Sequence, residues 1–187
     1  MRNARQVLIL LVALLVPSSS VVATPQQSSR PAKPPAVRAT PPRVVAAPNK
    51  NDPFIGVWKL NPAKSKYESG GPPTSFTRTY EDRGGGTIFM TTDVTIPQGS
   101  TRAYLVYRRD GKPYPEAALG AQAIRMVSVK AIDLHTEDVY FIVNGQTSDT
   151  PSTITISADG MTMTQVVSGR DAKGKAFTNT IVYDKEP

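Results

Sequence analysis

The sequence predicts an all-β domain: an antiparallel up-and-down meander of eight to nine strands, closed as a barrel. Three observations predict it. From Pro53 onward apolar and polar residues alternate every two positions, the pattern of a strand with one buried face. The alternating runs are separated by "RGGGT", "RDGK", "VNGQ", "ADGM" and "DAKGK", which supply the positive φ that tight antiparallel hairpins need. No stretch of the domain carries a helical period over three turns, and closing the meander removes the exposed edges it would otherwise present.

Residues 1–23 read as an export signal, with Arg2 and Arg5 ahead of the apolar run "VLILLVALLV" and with Val21 and Ala23 at the small-residue positions. Cleavage is expected after Ala23. Ten apolar residues span about 15 Å as a helix, roughly half of a bilayer core, so a retained membrane anchor is disfavoured. Residues 24–52 form a proline-rich basic stretch in which each proline removes a backbone donor; a disordered tether is expected there.

The domain proper is expected over 53–187, and its strands follow in order. "IGVWKL", 55–60, holds Trp58, the only tryptophan of the chain. "TSFTRTYED", 74–82, puts Phe76, Arg78 and Tyr80 on one face. The third strand, 87–97, sets Ile88, Met90, Thr92, Val94 and Ile96 against Phe89, Thr91, Asp93 and Thr95. A fourth is expected at 101–109, after which "PEAALGAQA", Pro115 to Ala123, makes one short helical turn at most. Then come 122–133, with Arg125 on the face of Val127 and Val129, and 137–144, with Val139, Phe141 and Val143 on one side. Strands at 147–157, 161–169 and 176–184 complete the meander, the last with Phe177, Ile181 and Tyr183 sharing a face.

The formal charge of +7 does not belong to the domain. Residues 53–187 carry 15 Lys and Arg against 14 Asp and Glu, whereas residues 24–52 carry five basic residues and one acid. A basic face for nucleic acid is therefore not expected, and any attraction to an anionic envelope surface would come from the tether. The chain has no cysteine, which excludes disulfides, thiolate metal sites and a cysteine nucleophile.

Motifs for chemistry are sparse. "GRDAKGKA", 169–176, approaches a phosphate-binding loop but ends in alanine and precedes a strand, so a hairpin turn is expected. His135 is the only histidine and reads as a solvated loop residue, since Glu137 and Asp138 offer no second imidazole for a metal. Glu81 and Asp82 are strand neighbours that point to opposite faces and cannot act as a catalytic pair. Nothing here points to catalysis or to a cofactor.

"FIGVWKL", Phe54 to Leu60, resembles the opening strand of the lipocalin and fatty-acid-binding-protein superfamily, most closely small exported lipocalin-like domains of bacteria. The resemblance covers roughly residues 53–185. It implies that Gly56 lets the chain cross the barrel floor while the Trp58 indole packs over the closed end. The intracellular members carry a helix-turn-helix lid after the first strand, for which "NPAKSKYESGGPPT" is too short and too rich in proline and glycine. They also bind a fatty-acid carboxylate through an Arg-x-Tyr on the last strand; Tyr183 matches the tyrosine, but Ile181 stands at the arginine position.

The expectation is thus an exported, periplasmic or secreted, monomeric and non-enzymatic protein that holds a small apolar or amphipathic molecule. Arg78, Tyr80, Met90, Arg125, Phe141 and Tyr183 are the candidate ligand contacts, and Arg78 or Arg125 the candidate partner of an acidic head group. The alternative is a filled barrel that engages a protein partner through its loops or its tether.

Overall fold

The computed structural model describes residues 46–49, 51–120, 125–171 and 173–187. The expected export signal, its cleavage point and most of the tether lie outside the described residues. Among these the chain is all-β: β1 Gly56–Leu60, β2 Ser75–Asp82, β3 Ile88–Ile96, β4 Gly99–Tyr107, β5 Asp110–Ala118, β6 Arg125–Ala131, β7 Thr136–Val143, β8 Gln146–Thr147, β9 Ser152–Ile156, β10 Thr162–Arg170 and β11 Ala176–Lys185.

Hydrogen-bonded neighbours run β6-β5-β4-β3-β2-β1-β11-β10-β9-β7, and the β6–β7 pairing closes the circuit. All pairings are antiparallel, so ten strands form a closed barrel, and β8 pairs with β7 alone outside that ring. The hairpins follow the turn chemistry. Asn144 (φ 51°) and Gly145 (φ 77°) make the two-residue loop between β7 and β8, and "GRDAKGKA" is the β10–β11 hairpin, in which Arg170 pairs with Ala176.

Two expectations need correction. The expected count of eight to nine strands is too low because Asp110–Ala118 is a strand, although it contains Pro113 and Pro115. Those prolines leave a mark: the β4 ladder ends at Leu105↔Glu116, the last pair before Pro115, and the β6 register shifts between Asp110 and Pro113. The helical turn expected from Pro115 is therefore absent through Ala118; its last residues, 121–123, lie outside the described ones. The single strand expected over 147–157 is broken as well. Thr147 and Ser152 are five positions apart, while their partners Ile142 and Val139 are three apart, so two extra residues bulge from the wall beside β7.

Register and alternation place the core inside the ring. Trp58, Tyr80, Ile88, Leu105, Tyr107, Val127, Val129, Ile154, Met163 and Tyr183 are all buried and belong to one apolar cluster.

Candidate ligand site in the barrel interior

The inward set follows from pairing. Gly56↔Tyr80↔Met90↔Leu105↔Glu116↔Arg125↔Val143 is one circuit of residues that share the inner face, and Trp58↔Arg78↔Thr92↔Ala103↔Ala118 is the next. Burial along this inner face is uneven. On β3 it falls from Ile88 (3% exposed) through half-buried Met90, Thr92 and Val94 to Ile96 (42%). On β10 and β11 it falls from Met163 to Val167 and from Tyr183 to Phe177. The barrel is therefore closed where β2 turns into β3 and β6 into β7, and open where β3 turns into β4 and β10 into β11. Ten strands also enclose a wider space than the eight that side chains alone can fill.

The closed end is built on Trp58, which is fully buried and donates its indole Nε1–H to the carbonyl of Phe54 at 2.8 Å. Gly56 has φ +133°, a backbone conformation that favours glycine, and a Cβ there would lie 2.7 Å from Lys185 Cε and displace the lysine from its place over the Trp58 ring (Nζ 5.0 Å from the centroid). Arg109 lies over the Phe54 ring at 4.3 Å and contacts two carboxylates, Asp52 at 2.6 Å and Glu137 at 2.8 Å. The Glu137 contact is close but misaligned for a hydrogen bond from Nε. Glu137 is 1% exposed, and burial raises its pKa from 4.5 to about 7 against the pull of Arg109 and Arg78. The entry chain is tied down at this end too: Asn49 N–H donates to Asp82 Oδ2 at 2.6 Å, and Gly85 N–H donates to the Ala46 carbonyl at 2.9 Å.

Above this plug sits Arg78, 8% exposed. Its guanidinium carbon lies 4.9 Å from the Phe76 ring centroid and 5.3 Å from that of Tyr183, and the two rings meet edge to face at 5.3 Å. Among the described residues Arg78 forms no ion pair, and its Nε has no hydrogen-bond acceptor. An arginine stays charged at any ordinary pH, so this is a buried cation without its own anion. Beside it the Tyr183 hydroxyl makes a long hydrogen bond to Gln165 Oε1 (3.4 Å), and Gln165 Nε2 donates to Ser152 Oγ at 2.6 Å. The hydroxyls of Tyr80 and Tyr107, just below, are buried without partners; burial raises both phenol pKa values, so both are neutral donors at neutral pH.

Nearer the opening, inward Arg125 pairs with buried Glu116 and lies 4.7 Å from the Phe141 ring. Its charge is thus already met. Of the candidates read from the sequence, Arg78, Tyr80 and Tyr183 come together, Met90 lines the wall between Tyr80 and Leu105, and Arg125 with Phe141 forms a separate pair. Gly56 and Trp58 lie at the closed end. Sequence reasoning missed Glu137, Arg109, Asp52, Gln165 and Glu116. Glu137 and Gln165 do share the strand parity of Val139 and Met163, a signal that marks them as inward. His135 lies in the β6–β7 loop, half-buried, and the described residues contain no group of three His, Asp or Glu placed to hold a metal ion. A groove of about 360 Å³ on the outer wall is lined by Ser128, Lys130, Tyr140 and Ile142, whose neighbours Val127, Val129, Val139 and Phe141 point inward.

No protein-family model matches the chain, and no curated protein matches it. Fold and interior define a small antiparallel barrel, open at one end, with a buried arginine set among aromatic rings and, among the described residues, no carboxylate in contact with it.

Proposed function

We propose that this protein is an exported, non-enzymatic lipocalin-like binding protein that holds one small amphipathic molecule with a single negative charge. The head group of the ligand sits on Arg78, with the Tyr183 and Tyr80 hydroxyls within the same polar floor. Its apolar part lies along Phe76, Met90, Val94, Ile181 and Phe141 toward the opening. One observation carries this reading: among the described residues Arg78 is a buried guanidinium with no carboxylate in contact, while Arg109 and Arg125 each meet at least one and Lys185 donates to the Pro53 carbonyl. An isolated buried charge is costly, so an anionic occupant relieves it. The half-exposed apolar inner residues supply the rest, at about 0.8 kcal/mol for each CH₂ they bury. Arg78 also occupies, from β2, the place beside Tyr183 that Ile181 leaves without a cation on β11.

Native mass spectrometry of the protein purified gently from a periplasmic extract, followed by solvent extraction, tests the reading. A retained one-to-one amphipathic acid is expected. A clean apo mass, together with no uptake from a panel of alkyl carboxylates and the matching alcohols, would overturn it.

A further inference from the structure

This inference rests on the reading of Arg78 as the seat of an anionic head group, and concerns how that seat is regulated. Under the floor the barrel collects an unusual set of groups. Arg78 and Tyr80 come from β2, Tyr107 from β4, Arg109 from the β4–β5 connection, Glu137 from β7, Tyr183 from β11 and Asp52 from the entry segment. The strand neighbours of Glu137, Ala131 on β6 and Ile154 on β9, add no charge. Lys185 is occupied by the Trp58 ring and by the Pro53 carbonyl, which accepts its Nζ–H at 3.2 Å.

Within this set Asp52 and Arg109 form a pair at 2.6 Å. Buried Glu137 also meets Arg109, at 2.8 Å, so that single guanidinium is divided between two carboxylates, and Arg109 first and Arg78 after it act on the Glu137 charge. Arg78 is thus the cation that an incoming anion and Glu137 must share. A ligand carboxylate or sulfonate on Arg78 withdraws part of the field that keeps Glu137 ionised and adds a second negative charge beside a carboxylate that is 1% exposed and therefore weakly screened.

We propose that the barrel binds its anionic ligand together with one proton, the proton going to the buried Glu137 carboxylate as the head group takes Arg78. No bond other than O–H forms. The free carboxylate takes the proton from solvent, and the interior keeps its net charge. The free-state position of Glu137, about pH 7, puts the exchange within reach of ordinary conditions. Linkage then fixes the sign: whatever protonates Glu137 strengthens anion binding, and anion binding raises the affinity of Glu137 for its proton. Affinity rises as pH falls, by about tenfold for each pH unit by which the ligand shifts that equilibrium.

The test uses two probes on the full protein: 1-anilinonaphthalene-8-sulfonate, whose sulfonate stays charged across the range, and N-phenyl-1-naphthylamine, which resembles it without the anion. Titrations run from about pH 8.5 to about pH 5.5, with calorimetry in phosphate and in Tris to count protons taken up. Expected are a gain of about tenfold or more for the sulfonate on acidification, uptake of about half a proton or more just above neutrality, and no such trend for the amine. Glu137→Gln should hold the sulfonate tightly at every pH and take up no proton. A flat wild-type profile without proton uptake would overturn the coupling while leaving the anion site standing, and so would a slope that survives in Glu137→Gln. Binding of the amine without the sulfonate would overturn the anion reading, and binding of neither would overturn the proposed function itself.

Discussion

Trp58, Gly56 and Glu137 act at the closed end through different physics. Trp58 fills the end and has its one polar atom satisfied by the Phe54 carbonyl, so removing the ring leaves a large dry void. Trp58→Ala should cost about 3 to 5 kcal/mol in denaturant melts; a loss under about 1 kcal/mol would refute its role as the plug. Gly56→Ala meets both a strained φ and the Lys185 side chain at 2.7 Å, and a loss of about 1 to 3 kcal/mol is expected from the same melts. Glu137 acts through pH. Because its folded pKa is raised, it favours the folded state in full below about 4.5, and that contribution is lost as pH rises through about 7. Asp110, Asp159 and Asp184 have the opposite sign, each lowered from 3.8 by hydrogen bonds, so their contribution is lost on acidification. The melting temperature should therefore peak between these ranges and fall between pH 6 and 8, and Glu137→Gln should remove the alkaline fall. At this scale the sequence revealed Trp58 and Arg78 through alternation. It marked Glu137 as inward only by parity, since Glu137 opens the expected strand two residues before Val139, and a carboxylate on an apolar face reads as the frayed end of a strand until its burial is seen.

Elements were readable to the extent that their hydrogen bonding is regular. The β10–β11 hairpin, with nine consecutive pairs, was plain from period-two alternation around "DAKGK". β5 was not, since Pro113 and Pro115 remove donors and break the propensity by which strands are recognised. β9 was merged with β8 although Asp149 and Pro151 in "SDTP" mark the break, because the threonines and serines on both sides keep a strand-like composition across it. The same irregularities predict uneven local stability. The backbone amide of Val106, which faces β5 beyond the last β4–β5 pair, should exchange with deuterium faster than that of Tyr107, which faces β3, and faster than those of Gln165 to Val167 in the centre of β10. Equal protection by hydrogen exchange would mean that the β4–β5 wall is as tight as the rest.

At the largest scale the described residues form a cup: a plugged end of aromatic rings and paired charges, a floor that holds the Arg78 guanidinium with no carboxylate in contact, and an apolar wall that opens to solvent. Ala46 and Asn49 are hydrogen-bonded to the β2–β3 turn at the plugged end, and residues 24–45 directly precede them in the sequence. Deleting residues 24–45 should leave ligand affinity unchanged within about twofold by calorimetry, whereas a protein partner captured through the tether would be lost. The central claim is that Arg78 is the anion seat. The most direct test is calorimetric titration of wild type and Arg78→Met with dodecanoate and with dodecanol, alongside melts that confirm both proteins are folded. A charge-assisted contact of about 1.5 to 3 kcal/mol predicts that Arg78→Met weakens dodecanoate by roughly 10- to 100-fold and leaves dodecanol nearly unaffected. Equal affinities of wild type and variant for dodecanoate would contradict the account.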